Sequence, residues 1–432
     1  MGTGDAVADR LVAAVRRGDS EQVRELLDAG ADPDADDGST GLPVLCRAIS
    51  ADDQPVAEAL VQGGADPLRR LPDGTTPLLR AMEGGSPGLT RAVLPEVALY
   101  PGPPREELLG HARRLAGIDP EAELRRRTGL PGPAGRTRQL DDIGCWYERL
   151  TLGGLALGDG HAAFLTALET KLRLRTSFAE LLARALTRPD RDHAVWTASV
   201  MALGARLDDE TWAEATRRAR DRDPLHRLFA ADVLLSTIIA DAQRRETTLQ
   251  DRALDLLPWA GRERDTDVLS VLLNALTWTS GPATDALGLA HVTHPDPRIR
   301  GWVPDLLDRA GGMLRPESLA AVLALARDPD PEVREHTCFW LSHYRGPEPE
   351  IADVLVELTY DVRQRTRAVA VAALALRDDP RCVAAEPRIG PLEPGMDPDT
   401  LPLTAVWWYQ RRHGEQKEEQ KEEPKEEQKD DG

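Results

Sequence analysis

Lysine is nearly missing from this chain. Of 54 basic residues only five are lysines, and four of those stand in the last 19 positions, so the body carries its positive charge as arginine. Aromatic residues make up 4% and hydrophobic residues 41%, which suits helices packed through Ala and Leu better than a large β sandwich. Four cysteines (Cys46, Cys145, Cys338, Cys382) lie far apart with no CxxC pair. Each reads as a small buried residue in a reducing compartment. No apolar run approaches the ~18 residues that a membrane span needs. The N-terminus, MGTGDAVADR, lacks the basic region and apolar core of a signal peptide, so the expected location is cytoplasmic. No Ser-His-Asp, Walker or HExxH pattern occurs.

The formal net charge is −19, and the last 19 residues hold nine acids against four lysines. Phosphate backbones are bound by basic surfaces, so this balance argues against a nucleic-acid partner. Arg125–Arg127 and the trio Arg217, Arg218 and Arg220 are local exceptions.

Proline (33) and glycine (35) are abundant, as expected where short helices alternate with turns throughout. The clearest unit is Asp328–Tyr344, DPDPEVREHTCFWLSHY. Asp330 is placed to cap a helix, with Pro331 at its first position, where the missing N–H costs nothing. Val333, Thr337, Trp340 and Leu341 then fall at offsets of one helix face. The same ladder returns as Ile299, Val303, Leu306, Leu307; as Val268, Leu272, Ala275, Leu276; and as Thr366, Ala370, Ala373, Leu374. Weaker copies are His226, Ala230, Val233, Leu234 and Val195, Ser199, Ala202, Leu203. Steps between the six copies are 31, 42, 31, 34 and 33 residues. Each step leaves room for a second helix, with candidates at 209–220, 247–257, 316–327 and 350–358. A pair this small cannot bury its apolar face alone, so neighbours must stack around a continuous core. Pro304 should kink its helix.

The turn-plus-helix text, with Asp-Pro-Asp-Pro-x-Val-Arg at 328–334, resembles the HEAT repeat, in the variety also found in phycobilin lyases. Residues 5–95 carry a second period. Leu26-Leu27 precedes Gly30-Ala31-Asp32-Pro33, and Leu60-Val61 precedes Gly64-Ala65-Asp66-Pro67, 34 residues on. Asp73-Gly74-Thr75-Thr76-Pro77-Leu78 opens a third unit that decays after Gly85. This text resembles the ankyrin repeat, although Leu79 and Cys46 stand where that repeat has a histidine. The order of parts is similar to that of actinobacterial proteins joining ankyrin and HEAT-like repeats.

The expected fold is therefore all-α, a helical-repeat solenoid of ankyrin followed by HEAT-like repeats. Its parts are two to three ankyrin repeats at 5–95, a helical connecting segment at 96–187, the HEAT-like solenoid at 188–410 and a disordered charged tail at 411–432. In that tail the lysines recur every four residues, so a helix would stack like charges, and Pro424 interrupts it. Val406-Trp407-Trp408-Tyr409 either caps the open end of the solenoid or forms an exposed docking patch.

Few constellations suggest chemistry. Gly158-Asp159-Gly160-His161-Ala162-Ala163 fits G-x-G-x-x-A between a strand-like TLGGLAL and a helix, the local context of a dinucleotide site. Nothing downstream completes a βαβ unit, so a Gly-rich turn is the plainer reading. His291 with His294, and His336 with His343 near Cys338, match no zinc spacing. Arg227, Arg300, Arg334 and Arg367 each follow the core ladder by one residue. They are candidate partner-binding residues in a basic strip, or else an internal Arg–acid ladder between helices. Trp196, Trp278, Trp302 and Trp340 resemble the aromatic groove of HEAT-like DNA glycosylases, or else simply pack. No catalytic residue, cofactor or metal is expected. The reading is a non-enzymatic protein–protein interaction scaffold or adaptor for an unidentified protein or peptide; the alternative is a HEAT-fold nucleic-acid-binding or glycosylase-like protein. No membrane partner is expected, and oligomeric state is not legible.

Overall fold

The computed structural model describes residues 3–244, 252–307, 313–393 and 404–422, apart from the side chains of 3–6, 98 and 414–422. The chain divides into two compact units, 1–237 and 238–432.

The first unit opens with three helix pairs: α1 (Thr3–Arg17) and α2 (Ser20–Asp28), α3 (Val44–Ala51) and α4 (Gln54–Gln62), α5 (Pro77–Gly84) and α6 (Pro87–Ala92). Their starts follow from local chemistry. Asp19 accepts from Gln22 N, Asp53 from Val56 N, and Thr76 from Leu79 N just ahead of Pro77. The third pair is thus complete, with a six-residue second helix where the sequence text fades. Val23, Leu26, Ala48, Leu60, Ala81 and Leu89 share one core. That core continues into α7 (Pro103–Ala116) and α9 (His161–Lys171), so following helices cover the last ankyrin-like pair.

Residues 96–187, expected to be a helical connecting segment, contain α7, α8 (Pro120–Thr128), α9 and α10 (Phe178–Leu186), with strands between α8 and α9. There Gly135–Leu140 (β1), Trp146–Leu152 (β2) and Leu155–Gly158 (β3) form an antiparallel sheet in the order β1-β2-β3. The physical reason lies at Gly153 and Gly154, with φ of 57° and 82°. Two successive positive φ values make the tight turn whose twist matches paired strands, and β2 buries one residue on each face, Tyr147 and Leu150. Leu150 and Leu157 bury against Leu124 of α8, while Tyr147 buries with Ala163 and Val195. The unit continues through α11 (Ala194–Gly204), α12 (Asp209–Arg217) and α13 (Pro224–Arg244).

In the second unit, α14 (Leu257–Ala260) precedes α15 (Thr266–Leu276), α16 (Pro282–Ala290), α17 (Pro297–Leu306), α18 (Pro316–Leu325), α19 (Pro331–His343), α20 (Pro349–Leu358) and α21 (Gln364–Leu376). A short α22 (Arg381–Ala385) and a final α23 (Thr404–Glu422) follow. Helices α15, α17, α19 and α21 pack consecutively in one layer, and α16, α18 and α20 form the layer behind it. Of the 24 ladder positions, 23 are buried; the exception, His226, is half-buried. Full burial of such a leucine contributes at most about 1.5–3 kcal/mol, so these rows hold the repeats together. Helix α16 was not among the anticipated partner helices, and residues 247–251 of the 247–257 candidate fall outside the described residues. Pro304 sits in the last turn of α17, which stops at Leu306.

The C-terminal expectations divide. Ala405, Val406 and Tyr409 join the core of the repeats, as capping requires, whereas Trp407 and Trp408 stay half exposed at 50% and 52%. The tail expected to be disordered from 411 is helical through Glu422, and 423–432 lie outside the described residues. Glu, Gln and Lys extend a helix cheaply once a packed segment has nucleated it.

Candidate functional site

The four ladder-adjacent arginines occupy one repeated geometry. In each, Nη1 donates to the carbonyls six and five residues earlier in the turn before its own helix. For Arg300 these are His294 O (2.8 Å) and Pro295 O (3.1 Å); for Arg334, Asp328 O (2.8 Å) and Pro329 O (3.2 Å). Arg367 uses Asp361 O (2.8 Å) and Val362 O (3.0 Å), and Arg227 uses Asp221 O (3.0 Å) and Arg222 O (3.2 Å). The rest of the fork crosses to the next turn. Arg300 donates through Nε and Nη2 to the two oxygens of Asp328, at 2.7 and 2.8 Å. Arg334 Nε reaches Asp361 at 2.6 Å, and Arg367, with no further repeat to meet, closes on Arg388 O and Ile389 O.

Asp328 also accepts from Asp330 N, and Asp361 from Arg363 N, so each carboxylate shapes its own turn while pairing with the preceding repeat. The pairs are largely hidden: side-chain exposure is 12% for Arg300 against 6% for Asp328, and 17% for Arg334 against 3% for Asp361. Burial alone raises the Asp328 carboxyl, but the Arg300 fork and the Asp330 amide outweigh it and hold the group below its usual range. Arg300 is raised in turn, first by its hydrogen bonds to Asp328. Arg227, Arg300, Arg334 and Arg367, the candidate partner-binding residues, thus take the internal position that the sequence offered as the other reading. Their guanidiniums are spent on turns and carboxylates inside the stack, because a half-buried charge must be paired to be tolerated.

The other chemical candidates disperse in the same way. Gly158–Ala163 does run from a strand into a helix, but the strand is antiparallel and the turn is filled by protein. A Cβ on Gly160 would strike Pro87 and Gly85 O, and one on Gly158 would strike Gly85 O. Gly160 N, the amide a phosphate would need, donates to Gly85 O at 3.1 Å. Asp159 accepts from Glu148 N (2.8 Å), Arg188 Nε (2.6 Å) and buried His193, whose Nε2 lies 3.2 Å from both oxygens. His193 Nδ1 accepts from Val195 N, so the proton sits on Nε2 and the pair ties sheet to helix. Burial raises Asp159, and His193 and Arg188 together more than reverse that.

Trp196 and Trp340 are buried, so the four tryptophans do not line one groove. His294 Nδ1 accepts from Asp296 N, and His291 Nδ1 lies 2.8 Å from Leu287 O. Among the described residues no three His, Cys, Asp or Glu side chains converge as metal ligands would.

One surface was missed in the sequence because its residues had been read separately. Trp302 and His336 hold equivalent positions, 34 apart, on the exposed side of α17 and α19. Trp302 Nε1 donates to Ser270 Oγ of α15 (2.9 Å), its ring meets His336 edge-on, and His336 Nε2 lies 2.6 Å from Asp305 Oδ2. Phe339, 51% exposed, extends the strip one turn further, with the His343 ring centroid 4.7 Å away. The available signal was an aromatic three residues after the first ladder position in one copy and a histidine there in the next.

Comparison with known families identifies the two kinds of repeat. Residues 11–38 match the ankyrin repeat and residues 284–375 match HEAT repeats. The chain is 38% identical over 71 residues to the 2-5A-dependent ribonuclease of Mus musculus; that stretch is 16% of this chain and 10% of the relative. This chain therefore spans about a tenth of that curated relative's length. The X-ray structure of YibA from E. coli, a structural genomics target, is similar with a TM-score of 0.40 and 12% identity, covering 72% of this chain and 98% of that one. Ankyrin and HEAT repeats are in general protein-interaction motifs and are typically non-catalytic. Among the described residues no helix is long and apolar enough to cross a membrane.

Proposed function

We propose that the chain is a non-enzymatic scaffold or adaptor that grips a protein partner through its repeat surface in the cytoplasm. The observation that carries this reading is the division of labour within α15–α21. Ladder residues and arginines are consumed in holding the stack together, while Trp302, His336 and Phe339 stand on the open side of successive helices. A rigid row of aromatic side chains offers large contact area at little ordering cost. Phe339→Glu and Trp302→Ala are the natural probes. Affinity capture from the native host, quantified by mass spectrometry, should recover a defined protein with the wild type and lose it with Phe339→Glu. Equal recovery by both, or turnover of a small molecule by the purified chain, would refute the reading. Salt-sensitive DNA binding would favour the nucleic-acid alternative, against which the net charge of −19 already weighs.

A further inference from the structure

In a chain this acidic, one cleft of the first unit is lined by three arginines and no acid. It has a volume of about 320 Å³ and lies where α9 and α11 end, walled by Leu174, Leu181 and Ala202, with Arg173, Arg175 and Arg206 around it. The hydroxyls at its edge are already committed. Thr166 and Thr170 donate to carbonyls one turn back, and Thr176 donates to Glu169. The guanidiniums are therefore the available donors.

Their own partners differ. Arg175 is neutralised by Asp208 (2.8 Å) and Glu210 (2.7 Å), both outside the lining. Half-buried Arg206 has no carboxylate; Nη2 donates to the carbonyl of Thr176, a loop residue. Burial and then the Arg175 charge push Arg206 below the usual arginine value, against the opposing pull of Asp208 and Glu210. The Arg173 side chain makes no hydrogen bond or ion pair among the described residues, and the residue is held at φ 56°, a conformation unfavourable for a residue with a side chain. The C-termini of α9 and α11 offer only partial negative charge, about half a unit each at most, and the Arg206 guanidinium's hydrogen bond goes to Thr176 O, outside both helices. Arg184, Arg300 and Arg334, also half-buried, each meet an acid, whereas Arg367 and Arg377 donate to carbonyls as Arg206 does.

We infer that this cleft binds a small oxyanion-bearing ligand, with Arg206 and Arg173 supplying the fork contacts to its phosphate or carboxylate group and Leu174, Leu181 and Ala202 accepting its apolar part. Guanidinium forks match both anions, so shared chemistry defines the site. The proposal is independent of the protein-binding reading, which rests on the second unit.

The test is titration of the full chain with inorganic phosphate, pyrophosphate and citrate, followed by calorimetry and thermal melting, with sodium chloride at matched ionic strength as control. Phosphate-type and carboxylate-type sources are then read separately. The expected result is saturable binding and a rise in melting temperature with at least one of the three. Arg206→Gln and, separately, exposed Arg173→Gln should each weaken it by about tenfold, the loss of one charge-assisted contact. Arg105→Gln, outside the cleft lining, should leave it unchanged. No saturable binding by any of the three anions overturns the proposal. So does binding that Arg173→Gln leaves within twofold while circular dichroism confirms the fold.

Discussion

Asp328 and Asp330 stand two residues apart in the same turn, and their removal should have very different consequences. Asp330 accepts one hydrogen bond, from Glu332 N, as an ordinary helix cap. Its replacement by Ala should cost about 1 kcal/mol. Asp328 accepts from Asp330 N and twice from Arg300, and its side chain is 6% exposed. Asp328→Ala loses the turn contact and leaves Arg300, itself 12% exposed, without its carboxylate. Breaking a fully buried pair costs ~3–5 kcal/mol; with partial solvent access about 3 kcal/mol is expected. Hydrogen–deuterium exchange of peptides from 313–393 reads both values locally, without requiring the whole chain to unfold in one step. Exchange should accelerate about 150-fold for Asp328→Ala and about fivefold for Asp330→Ala. Asp328→Asn, which keeps an acceptor and loses the charge, should fall between. Accelerations within threefold of each other for the two alanine variants would refute the ladder as the link between repeats.

The same pair fixes a pH dependence. Asp328 is held below its ordinary value of 3.8 in the folded chain. A depressed carboxyl contributes stability that is fully present above the unfolded value and lost as pH falls through the folded one. The gap between wild type and Asp328→Ala should therefore be constant above about pH 5 and shrink as the pH falls below 4.

Two further predictions concern the first unit. Gly160→Ala places a methyl group against Pro87 and the Gly85 carbonyl, where backbone cannot yield, and should cost about 3 kcal/mol or more. Limited proteolysis should then open the chain between 135 and 160 in the variant and spare the wild type. Tyr147→Phe removes a hydroxyl 3.0 Å from Asp52 Oδ2 and 2.9 Å from Ser86 Oγ, in a ring that is 3% exposed. A stability loss of about 2 kcal/mol in thermal melting is expected, and no change would mean the hydroxyl's partners re-pair with water.

The ladder was legible because its rule is local. One apolar face, one cap and one proline recur at nearly fixed steps, and each copy needs only its neighbours to be buried. The sheet at 135–158 was not, because β1 (Gly135–Leu140) is exposed along its whole length and its sequence, GRTRQL, carries no burial pattern. Its hairpin turn, Gly153-Gly154, lies inside TLGGLAL, which reads as one strand-like stretch rather than as two strands and a turn. The glycines of 158–160 show the limit from the other side. Their spacing fits a dinucleotide pattern or a Gly-rich turn, and the sequence does not say what the backbone there approaches. Here it is the end of α5, whose Gly85 adopts φ 75° so that two chain segments can touch.

The shortage of lysine has a structural counterpart in the repeats. At Arg300 one side chain serves two carbonyls through Nη1 and a carboxylate through Nε and Nη2, and Arg334 divides its contacts between Nη1 and Nε in the same way. A single ammonium cannot span those directions, since its three donors radiate from one nitrogen. An arginine-rich stack can therefore join the start of each helix to the following turn with one residue per repeat. The cost is that these charges are withdrawn from the surface, which explains why a column of four arginines, regular enough to look like a binding strip, contributes rigidity instead. Outside that column, Trp302, His336 and Phe339 stand at the +3 and +6 positions of α17 and α19, whereas the same positions of α21 hold buried Val369 and Ala372.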